Sequence, residues 1–109
     1  MMDVEQIVMS IIINAGDARA FAYDALRKVK SGVYKEGEID KLIDMANNAI
    51  GKAHETQTSL LQKEANGENI TVSILFVHAQ DHLMTAISEK NLIIELIELT
   101  KTIQTLQNR

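Results

Sequence analysis

Two glycine-bearing breaks in a chain without a single proline decide most of what this sequence can become. The first break lies around "VYKE", flanked by Gly32 and Gly37; the second is "NGENITVS", Asn66 to Ser73. Glycine and asparagine punctuate structure, and elsewhere nothing removes a helix hydrogen bond. The chain is cut into three segments of similar length, predicted as helices over about 4–30, 36–65 and 73–106. Aromatic residues make up only 4%, so close helix contacts fall to Ala, Leu and Ile. The expected fold class is all-α, in a single domain spanning residues 1–109.

The apolar residues recur at helical spacing in each segment. In the first, Val4, Ile7, Val8, Ile11, Ala15, Ala18, Ala22, Ala25, Leu26 and Val29 form one stripe, with Asp3 as the expected N-cap. Gly16 stands inside it and costs about 1 kcal/mol against Ala, which suggests a close contact or a bend. In the second segment the stripe is Ile39, Leu42, Ile43, Ala46, Ile50, Ala53, Leu60 and Leu61. Gln57 falls in its middle and His54 at its edge. The third segment, with Ser73 as expected N-cap, has two apolar faces. Phe76, Ala79, Leu83, Ala86, Ile87, Ile94 and Ile97 make one. Leu92, Leu96, Leu99 and Ile103 make another, rotated well away. A helix apolar on both sides cannot turn either to water. Two sister helices cover the first face. Another copy of the chain is the simplest cover for the second, which predicts a homo-oligomer of cyclic symmetry with this helix lining the axis.

Composition excludes several classes. With 109 residues, 46% hydrophobic and 24% charged, the chain is a small globular domain. Its net charge of -4, with Lys and Arg scattered, argues against nucleic acid, whose phosphates demand clustered cations. Cysteine is absent, which removes disulfides, thiol chemistry and cysteine-metal sites. Asp3 and Glu5 stand where a secretory signal would be basic. The apolar runs are too short to span a bilayer, so no direct membrane insertion is expected. The expected location is the cytoplasm.

One stretch does not fit a plain core helix: "VHAQDHLMT", Val77 to Thr85. His78, Asp81, His82, Thr85 and Glu89 project on the same side as Leu92, Leu96, Leu99 and Ile103. Positions i, i+3 and i+4 share a helix face, so His78, Asp81 and His82 converge. Three readings compete. The cluster could be a satisfied polar layer that fixes register, although burying three ionisable groups costs several kcal/mol. It could hold a metal: HxxDH supplies zinc ligands from one helical turn, with His54 as a further ligand. Alternatively, symmetry could gather copies of Asp81, whose oxygens suit a hard divalent ion such as Mg²⁺. Or His78 could be a phosphoryl acceptor, a neutral imidazole being a good nucleophile near pH 7. His82, His54, Gln57 and Gln80 would then be nearby donors. Residue chemistry alone leaves metal binding and phosphoryl transfer level.

Three segments together, "AGDARAFAYDAL" (Ala15 to Leu26), "AHETQTSLLQKEANGE" (Ala53 to Glu68) and "VHAQDHLMTA" (Val77 to Ala86), resemble the lactose/cellobiose-specific enzyme IIA family of the bacterial sugar phosphotransferase system. The resemblance covers essentially the whole chain in order. It implies an antiparallel three-helix bundle that trimerises through its last helix into a nine-helix assembly. It implies that His78 is the phosphorylated histidine, with His82 beside it. His54 and Gln57 would lie near the phosphate, and Asp81 would be the ligand of a divalent cation on the trimer axis. The implied relay runs from the histidine-containing phosphocarrier protein to His78, then to a cysteine of enzyme IIB, and so to a sugar of the lactose, cellobiose or chitobiose class during uptake. One local departure is Thr100, where the resemblance implies an aromatic residue more often. The alternative in another class is a non-catalytic helical oligomer held by metal.

Overall fold

The computed structural model describes residues 4–108. It contains three helices, α1 (Val4–Ser31), α2 (Glu36–Ala65) and α3 (Ile74–Gln107). They form an antiparallel bundle drawn out to 62 × 20 × 20 Å. Each predicted segment is a helix, displaced by a residue or so at its ends. Ser73 is the N-cap of α3: it is extended, and its hydroxyl accepts the Phe76 N–H, one of the donors a helix start leaves over. The expected Asp3 cap lies outside the described residues. Gly67 ends α2 at φ 91°. There its N–H donates to the Glu64 carbonyl and that of Glu68 to the Lys63 carbonyl, a closure that calls for the left-handed conformation glycine adopts without cost.

The core is built on alanine. Ala15, Ala18, Ala22 and Ala25 of α1 are fully buried, and Ala46, Ala53, Ala79 and Ala86 meet them from α2 and α3. Side chains this small let backbones approach closely, and α1 serves as the common partner of the other two helices, which touch each other little. Larger residues fill the ends. Val8, Ile11, Leu60 and Leu83 pack in one cluster. Val29, Ile39, Ile93 and Ile97 pack in the other.

The stripes are observed with local corrections. Leu61 is 52% exposed and Leu60 takes its place in the core. Ile93 is buried where Ile94 was expected, and Ala49 joins the buried set. Val4, the first residue of α1, is 38% exposed. Gly16 marks neither a bend nor a close contact. It is exposed within a continuous helix, and a Cβ placed there meets nothing within 4 Å. Gly16→Ala should therefore raise stability by about 1 kcal/mol in urea unfolding; a loss of stability would show that another chain packs against that spot.

The second face of α3 is where sequence and structure agree most usefully. Leu92, Leu96, Leu99, Ile103 and Leu106 are all between 47% and 62% exposed. Among the described residues nothing covers their outer halves.

Candidate functional site

The site grows from one turn and a half of α3. His78 and His82 are four residues apart, so the helix stacks them on one face. Their ring centroids are 4.4 Å apart at an interplanar angle of 87°, and the two Nε2 atoms are 3.0 Å apart. That distance requires a proton between them, one nitrogen donating and the other accepting. Nδ1 of His82 is buried without a hydrogen-bond partner among the described residues. A stranded N–H is harder to bury than an unfilled lone pair. The proton of neutral His82 is therefore assigned to Nε2, from which it donates to Nε2 of His78. His78, exposed on the surface, then carries its own proton on Nδ1 and presents an Nε2 lone pair. The arrangement selects one tautomer of each ring and aims a nucleophilic nitrogen.

Asp81 lies between the two histidines in sequence and is exposed. Its carboxylate has neither ion pair nor side-chain hydrogen bond among the described residues. By helical phase it continues the Leu92, Leu96, Leu99 and Ile103 stripe toward the N-terminus of α3. Among the described residues no three His, Asp or Glu side chains of one chain converge to hold a metal. The zinc arrangement with His54 is thus not formed within one chain. A cation at Asp81 would need the same carboxylate from other copies.

Gln57 and Gln80 are brought together: the Gln57 amide donates to the Gln80 side-chain carbonyl, linking α2 to α3. On α3, however, Gln80 is two residues from His78, roughly 200° around the helix. The amide pair therefore sits across α3 from the histidine pair. His54 is exposed on α2 and hydrogen-bonds to none of the other candidates. Within one chain hydrogen bonds join His78 to His82 and Gln57 to Gln80, while His54 stands one turn before Gln57 on α2 and bonds to neither pair.

One neighbour was missed from sequence. Arg19 of α1 reaches α3 one turn beyond His82. Its guanidinium donates to the Thr85 hydroxyl, while its Nε is 2.9 Å from Glu89 Oε2. Thr85 in turn donates to the Asp81 carbonyl at 2.8 Å. The signal was available: Arg19 follows Ala15 by four and precedes Ala22 by three, which puts a cation at the margin of a buried stripe.

Comparison with known proteins shows the family of the chain. The family described as "PTS system, Lactose/Cellobiose specific IIA subunit" matches residues 6–101. The N,N'-diacetylchitobiose-specific EIIA component of Escherichia coli K12 is 42% identical over 97 residues, covering 89% of this chain and 82% of that protein. The crystal structure of the cellobiose-specific enzyme IIA from Bacillus anthracis superposes with a TM-score of 0.87 at 46% identity, covering 96% of this chain and 95% of the other. The IIA(Chitobiose)–HPr complex of E. coli gives a TM-score of 0.81 at 38% identity, covering 95% and 99%. With the family pattern running through all three helices, the chain belongs to the lactose/cellobiose-specific IIA family and is a phosphotransferase component of the bacterial sugar phosphotransferase system.

Proposed function

We propose that this chain is a cytoplasmic phosphocarrier. It accepts a phosphoryl group on His78 from the histidine-containing phosphocarrier protein and passes it to a cysteine of enzyme IIB. The observation that carries this reading is the Nε2-to-Nε2 contact of His78 and His82 on an exposed helix face. The Nε2 lone pair of His78 attacks phosphorus in line. A new P–N bond forms as the P–N bond to the donor imidazole breaks; His78 keeps its Nδ1 proton, and the donor ring, which carries an N–H on its other nitrogen, leaves as a neutral imidazole. His82 Nε2–H, released from that lone pair, turns to a phosphoryl oxygen and offsets its charge. In the second transfer a thiolate attacks the same phosphorus, the P–N bond breaks, and His78 returns to its starting tautomer. Little covalent chemistry is asked of the protein, so positioning and charge neutralisation set the rate. The two partners must dock in turn, through small, short-lived interfaces. A similar protein supports the donor: the IIA(Chitobiose) of E. coli has been solved in complex with HPr.

The working form is a homotrimer in which the open face of α3 meets its symmetry mates. An uncovered row of Leu92, Leu96, Leu99 and Ile103 supports it. Asp81, unpaired and on the same row, fits a divalent cation of the Mg²⁺ class shared by three copies. When bound, the cation neutralises carboxylates that would otherwise repel across the axis. Asp81→Leu should keep or tighten the trimer, because it removes that repulsion and lengthens the apolar row; sedimentation showing monomers would count against the axial placement.

The relay is tested by incubating the chain with phosphoenolpyruvate and the general carrier proteins. The expected product holds one acid-labile phosphoryl group, mapped to His78 by mass spectrometry, that disappears when enzyme IIB is added. An unlabelled chain under conditions that label a known IIA would overturn the proposal and favour a metal-held helical scaffold.

A further inference from the structure

A slot runs between α2 and α3 toward the end of the bundle away from the histidines. Its volume is about 470 Å³, and it is bordered by residues 39–44 and 94–101. The slot exists because α2 and α3 both lie along α1 yet barely meet each other. Ile39 and Ile97 form its buried floor, and Ile43 and Ile94 are half-exposed on its sides. Asp40, Asp44 and Glu98 stand exposed along its edges. Not one of these three carboxylates is in an ion pair among the described residues. Lys101, at one end, is already engaged: its ammonium donates to Glu36 at 2.8 Å. That hydrogen bond holds it above its usual range despite some desolvation, with smaller help from the charges of Glu36, Tyr34 and Asp40.

The slot is not part of the surfaces assigned above. Ile94 and Glu98 point roughly opposite to the Leu92, Leu96, Leu99 and Ile103 row on the same helix, so covering that row leaves the slot open. Ile94 is also sixteen residues from His78, about 24 Å along the helix, too far to take part in phosphoryl transfer. An apolar floor between carboxylate edges matches one kind of occupant. A helix with a leucine or isoleucine face at i, i+3, i+4 and i+7 fills the floor, and lysines or arginines on its flanks meet the edges.

We propose that this α2–α3 slot is a second docking site, taking a basic amphipathic helix of another protein independently of the histidine site. The proposal does not depend on the relay. It is a binding surface whose occupancy could report or adjust the state of the carrier without touching His78.

The test uses the full chain, isotope-labelled, titrated with a synthetic amphipathic peptide of about 14 residues carrying leucines at helical spacing and lysines elsewhere. The same peptide with glutamates for lysines is the control. Expected are amide shifts confined to residues 39–44 and 94–101, weakening with salt. The double charge reversal Asp40→Lys, Asp44→Lys should lower affinity at least about tenfold while phosphorylation of the chain continues at its normal rate. Three outcomes overturn the proposal: equal binding of the acidic peptide, shifts centred on the Leu92 to Ile103 row or on the histidines, or affinity untouched by the charge reversal. Shifts at the slot that grow with protein concentration without peptide would mean another copy of the chain fills it, and would overturn it as well.

Discussion

His78→Gln should take up no phosphoryl group. Glutamine occupies a similar volume and can still hydrogen-bond to His82, but an amide nitrogen has no lone pair available to attack phosphorus. Loss of an essential nucleophile costs on the order of 10⁵-fold or more in rate, which places the variant at background in a labelling assay. Because His78 is exposed and contributes nothing to the alanine core, circular dichroism and oligomeric state should stay as in the wild type. That separates lost chemistry from lost structure. His82→Ala makes the informative companion. It removes the N–H that, in the proposed mechanism, fixes the tautomer of His78 and steadies the phosphoryl oxygens, so the rate should fall by about 10²- to 10⁴-fold while labelling still reaches completion. If His82→Ala abolished labelling and His78→Gln did not, the roles of the two rings would have to be exchanged.

Leu96→Asp should break the proposed trimer into single subunits. Leu92, Leu96, Leu99 and Ile103 are each roughly half exposed in the monomer. Covering the exposed halves contributes about 1 kcal/mol per residue, so about 4 kcal/mol per protomer. One ionised carboxylate per chain in the middle of that row costs several kcal/mol for lack of any partner, and the three copies would also repel one another. The two quantities are comparable, and association therefore collapses. Analytical ultracentrifugation at micromolar concentration reads the outcome directly. A variant with unchanged mass, or a wild-type chain that already sediments alone, would remove the basis for the trimer. Leu61→Asp is the matched control: Leu61 is just as exposed but lies on α2, away from the row, and should leave the mass as it was.

Much of this molecule could be read from its sequence because its signals are local. Two breaks and three periodic stripes place the helices, and Ser73 caps α3 as expected. Wherever two large apolar residues stand side by side, periodicity fixes the face only to within one residue. Leu60 and Leu61 are one such pair, Ile93 and Ile94 another. Neighbours 100° apart both lie near the stripe, and only the line of approach of the next helix decides which is buried. Arg19 escaped notice for a related reason. Its partners, Thr85 and Glu89, are on another helix far away in sequence, and no spacing rule within α1 names them. At the site, the contact between His78 and His82 is intrahelical and therefore predictable. The pairing of Gln57 with Gln80 rests on the relative rotation of α2 and α3, which their separate patterns do not encode. Gly16 misled because a helix-weakening residue suggested a role, whereas it sits on an open surface.

The way α2 is attached has a mechanical consequence. It leans on α1 along the alanine seam, while its polar ties to α3 are found at two levels, Gln57 with Gln80 and Glu36 with Lys101. A helix fastened along one side and tacked at two points on the other resists stretching but yields to torsion. The softest deformation of this rod is then a small roll of α2 about α1, which widens or narrows the seam opposite without breaking a core contact. Stiffness then comes from α1, against which both other helices pack, and compliance from the seam between α2 and α3.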